Sequence, residues 1–190
     1  MKPLPTNATL IVIDVQRAFE HPSWGQRNNP DAEANVARLL AAWRDTQRPV
    51  IHVHHRSRRP ASHFYFDGPG FEVKPEAAPQ GGEPVVYKEV NSGFIGTDLE
   101  ARLRDAGVTH VVLAGITTDH CVSTTTRMAG NFGFEAILVD DATATFERTG
   151  VKGQHFSAET MHETALASLN GEFATVLGTA QVLAAARAAA

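Results

Sequence analysis

Short, nearly continuous apolar runs alternate along the chain with longer stretches in which apolar residues recur every three or four positions. Residues 8–15 (ATLIVIDV) form an apolar, β-branched run closed by an acid, the pattern of a strand buried on both faces. Residues 49–53, 84–88, 108–115, 135–139 and 173–177 repeat it and predict five further strands. Residues 32–45 place Val36, Leu39, Leu40 and Trp43 on one helical stripe. Residues 97–107 predict a helix with Thr97 as N-cap, Glu100 as its capping-box partner and Gly107 as the stop. Residues 118–132, 158–169 and 179–189 supply the remaining helices. The alternation predicts one α/β domain over residues 1–190, with a doubly wound, parallel, six-stranded sheet and helices on both faces. The segment from 54 to 84 is rich in Pro, Gly, Arg and aromatics and reads as a long, irregular active-site loop.

In such sheets ligands bind beyond the carboxyl ends of the strands. Three unusual polar residues fall there. Asp14 ends the first strand, Lys88 ends the third, and Cys121 follows the fourth at the start of a helix. A thiol in a first helical turn sees unpaired N–H groups that favour the thiolate; the alternative is a buried, inert Cys. Asp14 is either a proton acceptor for that thiol or a solvated strand-end acid. Lys88 is a common strand-end residue alone, but beside the other two its ammonium stabilises both charged forms.

Composition narrows the setting. The 190 residues carry a formal charge of -4 with the signs interspersed, which argues for neither a nucleic-acid nor a membrane partner. The cluster Arg56, Arg58, Arg59 is a solvated loop or a small-anion contact. Residues 1–7 lack a signal-type apolar stretch, and no segment approaches the ~20 apolar residues of a membrane span. A single Cys cannot close an intramolecular disulfide, which predicts a reducing, cytoplasmic home.

Four motifs occur in order between about residue 8 and residue 180. They are Ile13-Asp14-Val15-Gln16, Lys88-Glu-Val-Asn-Ser-Gly-Phe94 with Thr97 beyond it, Gly115-Ile-Thr-Thr-Asp-His-Cys121-Val, and Asp141-Ala-Thr-Ala-Thr145. Together they resemble the isochorismatase-like superfamily of cysteine hydrolases. The resemblance implies that Cys121 is the nucleophile, Asp14 the general base and then acid, and Lys88 the electrostatic stabiliser. It further implies a cis peptide at Ile116–Thr117 and an oxyanion hole from the backbone N–H groups of Thr117 and Cys121. The expected activity is hydrolysis of a C–N bond in a small amide, ureido or lactam molecule, without a cofactor, by a homo-oligomer (dimer or tetramer). Vinyl-ether hydrolysis with Asp14 as acid is the alternative within the superfamily, and a non-catalytic scaffold the alternative outside it.

Substrate contacts are assigned to Phe19 and Trp24 after Asp14, His54 and His55 at the second strand, Phe64 and Phe66 in the loop, and Phe94. The loop aromatics are either a lid or a satellite core. Nicotinamidases of the superfamily hold a metal on an Asp-x-His pair with further histidines. Here Ile51-His-Val-His-His55, with His63 beyond, lacks the Asp, so no metal is assigned and His52 is expected to pack in the sheet. His120 is expected to be structural, and His155 and His162 to line the pocket or an oligomer interface.

Overall fold

A computed structural model describes residues 3–188; the first residues of the N-terminal segment read above, and the Ala189 end of the predicted last helix, lie outside them. Six parallel strands form the main sheet in the order β3-β2-β1-β4-β5-β8. These are β1 (Thr9–Ile13), β2 (Val50–His55), β3 (Val85–Lys88), β4 (His110–Ile116), β5 (Glu135–Ala144) and β8 (Thr175–Leu177). An antiparallel pair, β6 (Arg148–Thr149) with β7 (His155–Phe156), follows β5.

The central strands β1 and β4 are apolar because both their faces are covered. On one face α1 (Ala32–Asp45) and α5 (Thr179–Arg187) pack Val36, Leu39, Trp43, Val182 and Ala186 on Leu10, Val12 and Val112. On the other, α2 (Leu99–Asp105), α3 (Ser123–Asn131) and α4 (Ala158–Leu169) bury Leu99, Leu103, Ala129 and Leu166 against Ile11, Ile13 and Leu113. This is the doubly wound parallel architecture expected from the alternation. Trp43 illustrates how tightly the first layer is specified: it is fully buried, and its indole N–H donates to the Ala8 carbonyl at 2.9 Å.

Three local expectations need correction. The second strand continues past Val53 to His55, because His54 and His55 keep pairing with Tyr87 and Lys88 of β3. α2 begins at Leu99 with Asp98 at its N-cap; Thr97 instead donates to the Gly93 carbonyl and accepts the Leu99 N–H. The helix after β4 opens with a widened π-type turn, Thr118–Val122, before α3 becomes regular. Such turns are rare and cluster at functional sites. Among the described residues no helix is long and apolar enough to cross a membrane.

Candidate active site

Asp14 lies one residue beyond β1 with φ 51°, a left-handed conformation uncommon outside glycine. Its N–H is held by the Val53 carbonyl at 2.8 Å, and its side chain is fully buried. Lys88 is the last residue of β3 and is 1% exposed. Cys121, the only thiol of the chain, sits partly buried in the π-turn.

Gly115 allows the ends of β1 and β4 to meet. Its φ is +132°, and an added Cβ would lie 1.9 Å from the Ile13 carbonyl oxygen, so no other residue fits. The next peptide, Ile116–Thr117, is cis. The Thr117 carbonyl then accepts the N–H groups of His120 and Val122, each at 3.2 Å. Thr125 completes the frame, donating to the Cys121 carbonyl at 2.7 Å and accepting the Gly93 N–H at 3.0 Å.

The Lys88 ammonium is the hub. Its Nζ lies 2.6 Å from Asp14 Oδ2, 3.1 Å from His55 Nδ1 and 3.3 Å from Cys121 Sγ. The donor atoms of Asp14, His55 and Cys121 all fall within 4.8 Å of one another. That spacing would suit a metal ion, but Lys88 already brings a cation into contact with all three. Asp14 Oδ1 has no hydrogen-bond partner among the described residues, a costly state for a buried carboxylate oxygen.

Burial pushes the Cys121 thiol up to about 12, and the Asp14 charge adds to that push while Lys88 opposes it. Burial alone would lower Lys88, but the charges of Asp14 and Cys121 outweigh it and hold the ammonium above its ordinary range. Burial thus favours the thiol form of Cys121 over its thiolate.

An aromatic wall stands beside this cluster. Phe19, Trp24, Phe64 and the buried Phe146 pack on one another and on Ile116. Ring centroids are 5.0 Å apart for Phe19–Phe64, 5.1 Å for Phe19–Trp24 and 5.5 Å for Trp24–Phe146. Phe64 also meets His55 edge-on at 5.0 Å, which joins the wall to the ion cluster. A hollow of about 330 Å³ opens along Trp24, Arg59, His63 and Phe64. Phe146 was not foreseen from the sequence; it follows β5 in an irregular segment with no period to mark it.

Three residues assigned to the substrate lie elsewhere. His54 points to the opposite face of β2 from His55, buried with His52 and Tyr87. Phe66 is half exposed and packs on Tyr65. Phe94 is a core residue stacked among Phe132 and Phe134.

The histidines of this region make separate contacts. His52 Nε2 is bound by Glu83 at 2.8 Å, His55 faces Lys88, and His63 stacks on His21 with centroids 3.9 Å apart. His120 is exposed beside Asp119, His155 pairs with Glu147 at 2.9 Å, and the buried His162 meets the Thr118 hydroxyl at 2.9 Å. Asp119, two residues before Cys121, accepts from the Thr145 hydroxyl and lies 3.4 Å from Arg148.

A buried Asp–Lys–Cys cluster beyond the carboxyl ends of a six-stranded parallel sheet defines a cysteine-bearing α/β protein of isochorismatase-like fold. The chain belongs to the isochorismatase family: the family model described as "Isochorismatase domain" matches residues 8–181. It is similar to the uncharacterized isochorismatase family protein YrdC of Bacillus subtilis, 45% identical over 92% of this chain and 93% of that one. It is also similar to Nicotinamidase 3 of Arabidopsis thaliana, 29% identical over 88% of this chain and 82% of that one. A crystal structure of an isochorismatase-family protein from Chromobacterium violaceum superimposes with a TM-score of 0.95 at 44% identity, covering 97% of this chain and 96% of that one.

Proposed function

We propose that the protein is a cysteine hydrolase that cleaves the C–N bond of a small amide, ureido or lactam substrate. The observation that carries this reading is the single ammonium of Lys88, 2.6 Å from a buried carboxylate and 3.3 Å from the one thiol of the chain. Because burial keeps the proton on sulfur, the nucleophile is made on demand: Asp14 takes the Cys121 proton as sulfur attacks the carbonyl carbon. The carbonyl π electrons move to oxygen, and the oxyanion is received by the N–H groups of Thr117 and Cys121.

Collapse of the tetrahedral species breaks the C–N bond, and Asp14 returns its proton to the departing nitrogen. A water molecule then loses a proton to Asp14 and attacks the thioester. The acid leaves, the thiolate regains its proton, and the site is restored. Throughout, Lys88 keeps a positive charge beside whichever of Asp14 and Cys121 is negative, which lowers the cost of charge moving between them.

The wall of Phe19, Trp24, Phe64 and Phe146 gives the acyl side of the substrate a flat, apolar bed, with His55 as its polar edge. The absence of a nicotinamidase-type histidine set argues against a pyridine nitrogen held by metal. A homo-oligomeric, cytoplasmic enzyme without a cofactor is part of the same proposal.

The test is release of ammonia or amine across a panel of nicotinamide, carbamoyl amino acids, ureidoacrylate-like compounds and lactams, with wild type beside Cys121→Ala. Turnover lost in the variant supports the thiol mechanism, and equal turnover in both overturns it. One observation favours a second reading, vinyl-ether hydrolysis with Asp14 as acid: a thiol held at about 12 is a poor resting nucleophile. Full retention of activity by Cys121→Ala on a vinyl ether would establish it.

A further inference from the structure

His55 is placed more tightly than a pocket-lining residue needs to be. Gln16, two positions beyond Asp14 and fully buried, grips its backbone on both sides. The Gln16 side-chain oxygen Oε1 accepts the His55 N–H at 2.8 Å, and its side-chain Nε2 donates to the His55 carbonyl at 3.1 Å. A further donation from Gln16 to the Phe71 carbonyl at 2.9 Å fixes the clip itself. The strand register adds a second constraint by setting His55 opposite Lys88. Both act to aim one ring nitrogen at the ammonium.

We infer that His55 is a positioning residue, whose Nδ1 lone pair takes the third N–H of Lys88 and fixes the ammonium between Asp14 and Cys121. An ammonium has three N–H bonds and no acceptor. Its partners here are Asp14 Oδ2 at 2.6 Å, His55 Nδ1 at 3.1 Å and Cys121 Sγ at 3.3 Å, one for each proton. Without His55 the ammonium would have two partners of unequal strength, and the carboxylate would draw it away from sulfur. With His55 in place the pull is balanced by a neutral acceptor.

The role requires a neutral ring with the proton on Nε2. Burial lowers the His55 pKa below the ordinary histidine range, and the charge of Lys88 acts in the same sense. The remaining charged groups facing the ring are Arg59, which also lowers it, and Asp14 and Glu89, which oppose. Nδ1 therefore keeps its lone pair at neutral pH. Rotation is restricted as well, because Phe64 lies edge-on against the same ring at 5.0 Å.

This inference rests on the proposed role of Lys88, but its test needs no substrate. The chain has one cysteine, so iodoacetamide adds a single carbamidomethyl group at Cys121, displacing iodide, and intact mass reports the rate. The rate is followed against pH in wild type, His55→Leu, His55→Asn and His55→Gln. Asn carries an oxygen where Nδ1 sits, Gln carries its amide one bond further out, and Leu offers no acceptor.

The expected result is that Leu and Gln shift the pH profile upward and slow alkylation about tenfold at a given pH, as a one-unit rise in thiol pKa does. Asn should stay within about twofold of wild type. A purely packing role predicts a lower melting temperature for all three variants with unchanged profiles, and that outcome overturns the inference. If His55→Leu does not fold, the Asn and Gln pair decides: Asn fast and Gln slow supports it, and equal rates refute it. An amidase panel silent for every compound, alongside these shifted profiles, would sink the function proposed above while leaving His55 in its role.

Discussion

Two buried or nearly buried carboxylates in this molecule each meet a lysine, and the two pairs are built to opposite ends. Glu33, in the first turn of α1, has both oxygens satisfied: Arg27 donates to Oε1 at 2.7 Å and also to Oε2, and Lys74 donates to Oε1 at 2.8 Å. Burial alone would raise its pKa, but the hydrogen bonds from Arg27 and Lys74 outweigh that and hold it at about 2. Asp14 is more deeply buried yet has one lysine at Oδ2 and no partner for Oδ1 among the described residues. A carboxylate wrapped by cations holds no proton at working pH. One with a single cation and a thiol beside it is the acceptor that the proposed mechanism uses. The difference separates an ion cluster that ties elements together from one in which a proton can move.

The sharpest way to break the comparison is to neutralise each acid in turn. Asp14→Asn should lower amide turnover on the order of 10³-fold, the usual scale for a lost general acid–base. The same change should speed alkylation of Cys121 roughly tenfold at constant pH, since it removes the charge that raises the thiol and leaves Lys88 to lower it. Turnover and thiol reactivity moving in opposite directions would be hard to explain by misfolding. If both fall together, Asp14 is holding the site up rather than moving protons.

Glu33→Gln should spare turnover and cost about 2 kcal/mol of unfolding free energy in urea, because two cations lose their partner. The pH dependence has a definite sign. The folded pKa of Glu33 is depressed from 4.5 to about 2, so its stabilisation is complete above 4.5 and drains away as pH falls toward 2. The stability gap between wild type and Glu33→Gln, measured by urea melts, should therefore be full at neutral pH and close across that acid window. A gap that persists at the acid end would mean that packing, not charge, sets it.

The smallest effect belongs to a loop aromatic, Phe66, set against its neighbour Phe64. Phe64→Ala should cost about 2 kcal/mol through lost packing on Phe19 and Trp24. Phe66→Ala should change stability by less than about 0.5 kcal/mol, as expected of a half-exposed ring. Equal losses at the two sites would show that the loop folds down as one unit.

Much of this was legible in the sequence, for reasons that can be named. The bounds of α1 and α4 are those read from the spacing of Val36, Leu39, Leu40 and Trp43 and from the run after Ser157, whose hydroxyl accepts the Thr160 N–H. The parallel sheet covered on both faces follows from the alternation of strands and helices, whereas its strand order comes only from the fold. What was not legible depends on contacts between distant segments. His54 looked like a loop residue because polar residues usually end strands; here β3 keeps pairing with β2 past Val53. Phe146, Asp119 and Arg148 carry no local signal, since their neighbours come from other parts of the chain. The clip of Gln16 on His55 spans 39 positions and is invisible to any local pattern.

The placement of the trio at residues 14, 88 and 121 also has a consequence for folding. Two of its members sit at the ends of β1 and β3, which pair only through β2, and the third lies in the turn that follows β4. No hairpin or single crossover brings the three together. Pairings of such long sequence separation form late in a folding reaction, after helices and local turns. A chain recovering from denaturant would thus regain helical signal first and catalytic power only when β3, β2, β1 and β4 are all paired. Return of activity is then a clock for the last step of topology rather than for collapse.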